Sequence, residues 1–209
     1  PSSGMPRQLR LPLDRDAPAG ADEFVRGPSN AAAAARVLEA NWPGGALALI
    51  GPKGSGKSHR ARAWAGEKSV TPRVVVEDAD RGFDPEVLFH LANLAARGER
   101  LVLLTARARP VAWPTALPDL RSRLNALPIV EIALPDDTVL EGVLRRFFRD
   151  RHIRPPEEVY PYLLARMPRS ITDAAEMVRR LDEAGDEGFK PVTRVLARQI
   201  LEAQGELKL

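Results

Sequence analysis

The chain has 209 residues, of which 44% are hydrophobic, enough for a core domain of about 130 residues and a smaller second domain. The lack of cysteine excludes disulfides and thiolate metal sites, the three histidines show no ligand spacing, and a net charge of +3 argues against strong direct DNA binding. Because the sequence shows neither a signal peptide nor an apolar run of about 20 residues, we expect a soluble cytoplasmic protein without a membrane partner.

The first predicted elements are a tail, a helix and a strand. Residues 5–22 contain prolines and charges without helical periodicity and predict an extended tail. Ser29 and Asn30 precede an alanine run, a pattern typical of a helix N-terminus, and this helix is expected to end at about Ala40. The apolar run 46–50 predicts a buried strand, and a helix is predicted at 57–66.

The segment between that strand and helix matches the phosphate-loop pattern G-x-x-x-x-G-K-[ST] at every defined position. Its glycines allow successive backbone N–H groups to face one anion, the lysine reaches the outer phosphates and the serine hydroxyl is placed for Mg²⁺. We therefore predict that the chain binds a nucleoside di- or triphosphate. The predicted binding residues of this loop are Gly51, Pro52, Lys53, Gly54, Ser55, Gly56, Lys57 and Ser58.

The β-branched run 73–76 predicts a second strand, and Glu77 and Asp78 follow it directly. An apolar strand that ends in two acids is typical of a Walker B segment, in which the carboxylates hold Mg²⁺ and orient the attacking water. Ser58, Glu77 and Asp78 are therefore predicted to bind Mg²⁺. The plainer alternative is a strand followed by an acidic turn.

The remaining elements alternate between helix and strand and then become helical only. Helices are predicted at 85–97 and 119–124, strands at 101–105 and 129–132, and four further helices at about 136–151, 157–166, 170–183 and 191–206. This order indicates an α/β domain with a parallel sheet and an appended helical domain. We predict a tail over 1–22, a nucleotide-binding core over 23–135 and an all-helical lid over 136–209.

Three segments together resemble the bacterial replication initiator DnaA, an AAA+ ATPase: Phe24–Asn30, Gly51–His59 and Leu120–Leu124. The resemblance covers about residues 22–205 and implies an AAA+ core with a five-stranded parallel sheet, a helical lid and bound ADP or ATP with Mg²⁺. Since only residues 67–72 separate the helix after the phosphate loop from the next strand, the second strand of the five is expected to be abbreviated.

The resemblance also implies roles for single residues. Val25 and His59 would contact the nucleotide. Arg123 stands at the position of the arginine finger, which acts in trans on the ATP of a neighbouring subunit, and Arg121 is the less favoured alternative. The plainer interpretation of Arg123 is a surface arginine paired with Asp119.

The sensor positions depart from the DnaA pattern. Thr105 or Arg107 would serve at the end of the strand after Walker B, and the lid sensor position falls on Thr172, with Arg169 as an alternative nucleotide ligand. Glu77 stands where an aspartate is usual. These departures predict weak or absent ATP hydrolysis by the chain itself.

The tail contains Gln8-Leu9-Arg10-Leu11-Pro12-Leu13, which resembles the Q-L-x-L-P-L motif of the Hda group of short DnaA relatives. The resemblance implies that Gln8, Leu9, Leu11, Pro12 and Leu13 bind the DNA polymerase sliding clamp and that DnaA is the second partner; it leaves self-association open. The expected function is stimulation of ATP hydrolysis on DnaA. The alternatives are a self-hydrolysing AAA+ helicase loader or DNA-remodelling helper and a phosphate-loop kinase.

Overall fold

The computed structural model of the chain describes residues 25–188 and 191–206, with the side chains of 186–188 and 204–206 left out. The predicted tail and its clamp motif lie outside these residues. The described part contains an α/β unit followed by a helical unit, in the order that the sequence predicts.

A parallel sheet of four strands forms the centre of the α/β unit in the described residues, in the order β2-β3-β1-β4. The strands are β1 (Ala46–Ile50), β2 (Arg73–Val76), β3 (Leu101–Ala106) and β4 (Ile129–Glu131). Every residue of β1 is buried because β3 and β4 flank it and helices cover both of its faces. The fold class is thus confirmed as α/β with a parallel sheet.

The sheet differs from the expectation in one respect, because the abbreviated second strand does not form. Residues 67–72 connect the helix after the phosphate loop to β2 without a strand. A parallel crossover needs about a dozen residues or more, and this segment is too short to supply one. The Arg73 guanidinium, at the start of β2, holds this connection against the end of α2. It donates to the carbonyl of Trp64 and, at 3.0 Å, to the Glu67 carboxylate.

Four helices pack on the two faces of the sheet, namely α1 (Ala31–Glu39), α2 (Lys57–Gly66), α3 (Pro85–Ala96) and α4 (Pro118–Ala126). α1 and α2 cover one face, where Trp42 and Trp64 pack with ring centroids 5.2 Å apart. α3 and α4 cover the other face around Trp113. α3 begins where its sequence dictates, since the Asp84 carboxylate accepts the N–H groups of Glu86 and Val87.

The helical unit has its own hydrophobic core. It consists of α5 (Asp137–Asp150), α6 (Val159–Leu164), α7 (Ile171–Gly188) and α8 (Arg194–Glu206). Leu144, Phe148, Leu163 and Leu181 are fully buried in it. The four helices lie where the sequence predicts them, with ends that differ by up to a few residues.

One side-chain contact joins the segment before α1 to the start of α5. The Ser29 N–H donates to Asp136 Oδ2 at 2.7 Å, and the Asp136 N–H donates to Ser29 Oγ at 3.1 Å. Asp136 Oδ1 also accepts the Val139 N–H and caps α5. Burial alone would raise the pKa of Asp136, but the hydrogen bonds from Val139 and Ser29 outweigh it and hold this pKa below its usual value.

Candidate functional site

The phosphate loop leaves the C-terminal end of β1 and opens α2, as predicted. The connection from β1 runs over one face of the sheet and the connection from β3 runs over the other, so the two strand ends border a crevice. The Gly51 N–H holds the loop to this crevice by donating to the carbonyl of Ala106, at 3.2 Å. Gly54 and Gly56 have φ angles of 81° and 94°, which only glycine adopts without strain.

Lys57 is buried inside the loop. Its Nζ donates to the carbonyl oxygens of Gly51, at 2.7 Å, and Pro52, at 2.8 Å. Burial lowers the pKa of Lys57 and the nearby charge of Arg107 lowers it further, while Asp78 and Asp80 oppose the shift. The ammonium group thus lies beside the loop backbone, where it can exchange two carbonyl contacts for phosphate oxygens.

A cavity of about 400 Å³ lies above the loop, within the range that small-molecule ligands occupy. Lys53, Gly54, Gly56, Lys57, Ser58 and His59 line its lower side. Asp78 and Arg107 reach it from the strand ends, and Thr172 reaches it from α7. The structure therefore brings most of the predicted loop residues to one cavity and adds Arg107, one of the two open choices for a sensor.

The acidic residues after β2 separate into different environments. Asp78 lines the cavity, has a left-handed backbone with φ of 50°, and its N–H donates to the buried Thr105 hydroxyl at 3.2 Å. Glu77 is not among the lining residues and instead pairs with Arg62 on α2, at 2.9 Å. Asp80 accepts the backbone N–H groups of Arg107 and Ala108, both at 3.0 Å.

Ser58 and Asp78 are the predicted Mg²⁺ ligands that border the cavity. Mg²⁺ at nucleotide sites takes only one or two protein ligands besides waters and phosphate oxygens, so this pair fits the ion. In the described part of the chain, no group of three or more His, Cys, Asp or Glu side chains could hold a metal ion. Mg²⁺ at this site would therefore also need phosphate oxygens and waters as ligands.

Sequence reasoning did not assign a role to Asp80. Its only signal in the sequence is an acidic position shortly after β2, and its two backbone contacts orient the turn that carries Arg107.

A narrow apolar crevice continues from the cavity toward α5. Val25, Val143, Phe147 and Ile171 line it, together with His59 and Arg146, whose nitrogens lie 3.1 Å apart. At about 20 Å³ it is too small for a purine, so a base would have to widen it or share the larger cavity. The predicted nucleotide residues Val25 and His59 both lie at this crevice.

The start of α7 rests directly on the phosphate loop. The Ile171 N–H donates to the Gly54 carbonyl at 2.8 Å, and a Cβ added to Gly54 would lie 2.2 Å from Ser170 Oγ. Arg169, one turn away from Thr172, pairs with Asp137 at 2.7 Å and does not line the cavity. Of the two open choices at the lid, only Thr172 borders the cavity.

Arg123 lies away from the phosphate loop, on the exposed side of α4. Its guanidinium carbon is 5.2 Å from the centroid of the Phe89 ring. Among the described side chains, Arg123 forms no ion pair with Asp119. Arg121 differs, because its guanidinium donates to the carbonyls of Pro110, Val111 and Trp113 and so holds the preceding loop. Arg121 thus has a structural task, whereas Arg123 presents its charge to the outside.

The described residues form no helix that is both long and apolar enough to cross a membrane.

Several solved structures have a similar fold. Domain III of the replication initiation protein DnaA from Thermotoga maritima aligns with a TM-score of 0.75 at 18% identity, over 93% of this chain and 98% of that chain. AMPPCP-bound DnaA from Aquifex aeolicus aligns with a TM-score of 0.63 at 18% identity, over 81% and 66% of the two chains. The RuvB Holliday junction branch migration motor of Thermotoga maritima aligns with a TM-score of 0.64 at 14% identity, over 88% and 71%.

No protein-family model matches the sequence, and no curated protein matches it significantly. The structural comparisons, at sequence identities below one fifth, show the fold. The chain shares the fold of domain III of DnaA over nearly its whole length.

Proposed function

We propose that this chain is a nucleotide-bound AAA+ regulator of chromosome replication initiation, related to the Hda group. It binds the DNA polymerase sliding clamp and stimulates hydrolysis of ATP that is bound to DnaA. The observation that carries the proposal is the separation of Arg123 from the chain's own phosphate loop.

The nucleotide part of the proposal rests on the cavity above the phosphate loop. ADP or ATP would place its phosphates at the loop N–H groups and Lys57, with Mg²⁺ at Ser58 and Asp78. Its base would lie toward Val25 and His59. Because Glu77 is bound by Arg62 and lies off the cavity, we expect slow hydrolysis of the chain's own nucleotide.

The trans role of Arg123 rests on where α4 lies. Arg123 borders a second cavity together with Ala46 and Val102, which are near the N-terminal ends of β1 and β3. The phosphate loop leaves the opposite end of β1, and a strand of this length spans roughly 15 Å. An exposed arginine in this position is suited to a nucleotide on a neighbouring protein, where such a finger contributes about 10³–10⁵ in rate.

The clamp part of the proposal rests on the sequence of residues 8–13, which lie outside the described residues. An extended segment with leucines at alternate positions can place them in an apolar groove, while the glutamine amide binds polar groups at its edge. Clamp binding would bring Arg123 to DnaA at the site of replication.

The decisive experiment measures hydrolysis by ATP-loaded DnaA in the presence of DNA-loaded clamp. Arg123→Ala should abolish the stimulation that the wild-type chain gives, because the charge opposite the developing phosphoryl oxygens is lost. Arg149→Ala, which removes another exposed arginine, this one on α5, is the matched control and should retain stimulation.

Both variants should bind ADP and clamp as the wild-type chain does. Full stimulation of DnaA by Arg123→Ala would show that the arginine has no catalytic part.

A further inference from the structure

A second cavity of about 300 Å³ lies between α3, α4 and the starts of the central strands. α3 contributes Leu88, Ala92 and Ala96 to its wall, and α4 contributes Leu120, Arg123 and Leu124. The cavity is on the sheet face opposite α2 and does not share a lining residue with the cavity above the phosphate loop.

This cavity is partly open to solvent, and its volume lies in the range of ligand pockets. An engineered apolar cavity of about 150 Å³ is enough to bind benzene, and ligand pockets begin at about 300 Å³. The present cavity therefore has room for an apolar group about twice the size of a benzene ring, such as a medium-chain acyl group.

Among the described residues that line this cavity, Arg123 is the one that carries a charge. The other lining residues are alanine, leucine, valine, proline and glycine. Their side chains form no hydrogen bonds, so they suit the hydrocarbon part of a ligand. Arg123 is exposed, and its contact with the Phe89 ring places its guanidinium beside α3. Arg123 is a flexible side chain that borders the cavity, and its guanidinium matches a carboxylate in both charge and planar geometry.

We propose that this cavity binds an amphipathic carboxylate, such as a medium-chain fatty acid, with the hydrocarbon between α3 and α4 and the carboxylate on Arg123. The binding step is independent of the function proposed above, since it concerns the isolated chain. Its consequence rests on that function: a carboxylate paired with Arg123 would withhold the guanidinium from the ATP of a neighbouring protein.

Calorimetric titration of the full chain with decanoate, below its critical micelle concentration, tests the proposal. Wild-type protein and Arg149→Gln should both bind decanoate saturably. Arg123→Gln should bind it about tenfold more weakly, as expected for loss of a charge-assisted contact. Decan-1-ol should bind wild type and Arg123→Gln equally, because it has the chain without the charge.

Ala92→Leu fills the cavity and should abolish binding of both probes, with circular dichroism confirming that the variant is folded; Ala96→Val is the milder variant if it is not. Absence of saturable decanoate binding to the wild-type chain would overturn the proposal. So would equal decanoate affinity of wild type and Arg123→Gln, or unchanged binding in the folded cavity variants. These titrations contain no DnaA, so their failure is distinct from failure of the proposed function.

Discussion

Lys57 is the buried charged residue of the phosphate loop. Its ammonium is buried against the carbonyls of Gly51 and Pro52, and burial with nearby Arg107 lowers its pKa. Bound phosphate would supply the negative charge that these neutral carbonyls lack. Lys57→Ala should therefore weaken ADP binding by about tenfold or more, the amount expected for a lost charged contact.

Titration with a fluorescent ADP analogue checks this expectation. Lys53→Ala is the matched control, since Lys53 lines the same cavity but is exposed, and its loss should have a smaller effect. Equal affinity of Lys57→Ala and wild type would contradict the role of Lys57.

Asp136 gives a prediction about stability and pH. Hydrogen bonds from Val139 and Ser29 hold its folded pKa below the unfolded value of about 3.9, despite the opposing effect of burial. Its contribution to stability is therefore present above that unfolded value and is lost as the pH falls through the folded pKa. Asp136→Asn should lower the free energy of unfolding by about 1 kcal/mol at neutral pH, and the difference should shrink below about pH 4.

Urea unfolding of wild type and variant across this pH range measures the difference. Asp137→Asn is the neighbouring control, because the exposed pair of Asp137 with Arg169 contributes little to stability. A difference between Asp136→Asn and wild type that stays constant from pH 7 to pH 3 would refute the linkage.

Two elements, the phosphate loop and the start of α7, are packed so closely that glycine is required between them. A Cβ at Gly54 would lie 2.2 Å from Ser170 Oγ, and φ is 81° there. Gly54→Ala should therefore strain the loop and push α7 away, at a cost of about 1–2 kcal/mol from the backbone alone. For a chain of this length, the melting temperature should fall by roughly 2–8 °C.

Differential scanning fluorimetry of the nucleotide-free protein measures this shift. Gly66→Ala, at the end of α2, is the control because a Cβ there meets nothing within 4 Å. Its melting temperature should equal or exceed that of the wild type. If Gly54→Ala has the same melting temperature as the wild type, the contact between the phosphate loop and α7 does not constrain the fold.

The elements also show what a sequence reveals about a site. The phosphate loop was predictable because strand, glycines, lysine and helix are consecutive, and local backbone rules fix their geometry. The pairs Arg62–Glu77 and Arg169–Asp137 were not, because residues distant in the chain meet only after folding. Glu77 and Arg169 were expected at the nucleotide, and each is bound elsewhere in the structure. The short connection at 67–72 did predict a reduced second strand, and in the described part of the chain this strand is absent altogether.

At the scale of the whole molecule, the cavity above the phosphate loop lies where the helical unit meets the α/β unit. α7 touches the phosphate loop, and Ser29 binds Asp136 at the start of α5. A nucleotide that enters between Thr172 and Lys57 would contact both units at once.

The proposed function gives the chain two separate contacts, the tail for the clamp and Arg123 for DnaA. Gln8→Ala/Leu9→Ala should abolish retention on immobilised clamp, because it removes an amide and an apolar anchor of the motif. Arg10→Ala changes the variable position of the same motif, and this variant should be retained on the clamp as the wild type is. Surface plasmon resonance measures both, and ADP affinity should be unchanged in both variants.

Mixing the two defective chains tests whether both contacts must be in one molecule. Neither Gln8→Ala/Leu9→Ala nor Arg123→Ala should stimulate DnaA alone in the clamp-dependent assay. For a protein that acts as a monomer, an equimolar mixture should also be inactive, because the chain held at the clamp lacks the arginine. Recovered stimulation in the mixture would instead require that the chains associate, so that the tail of one brings Arg123 of the other to DnaA.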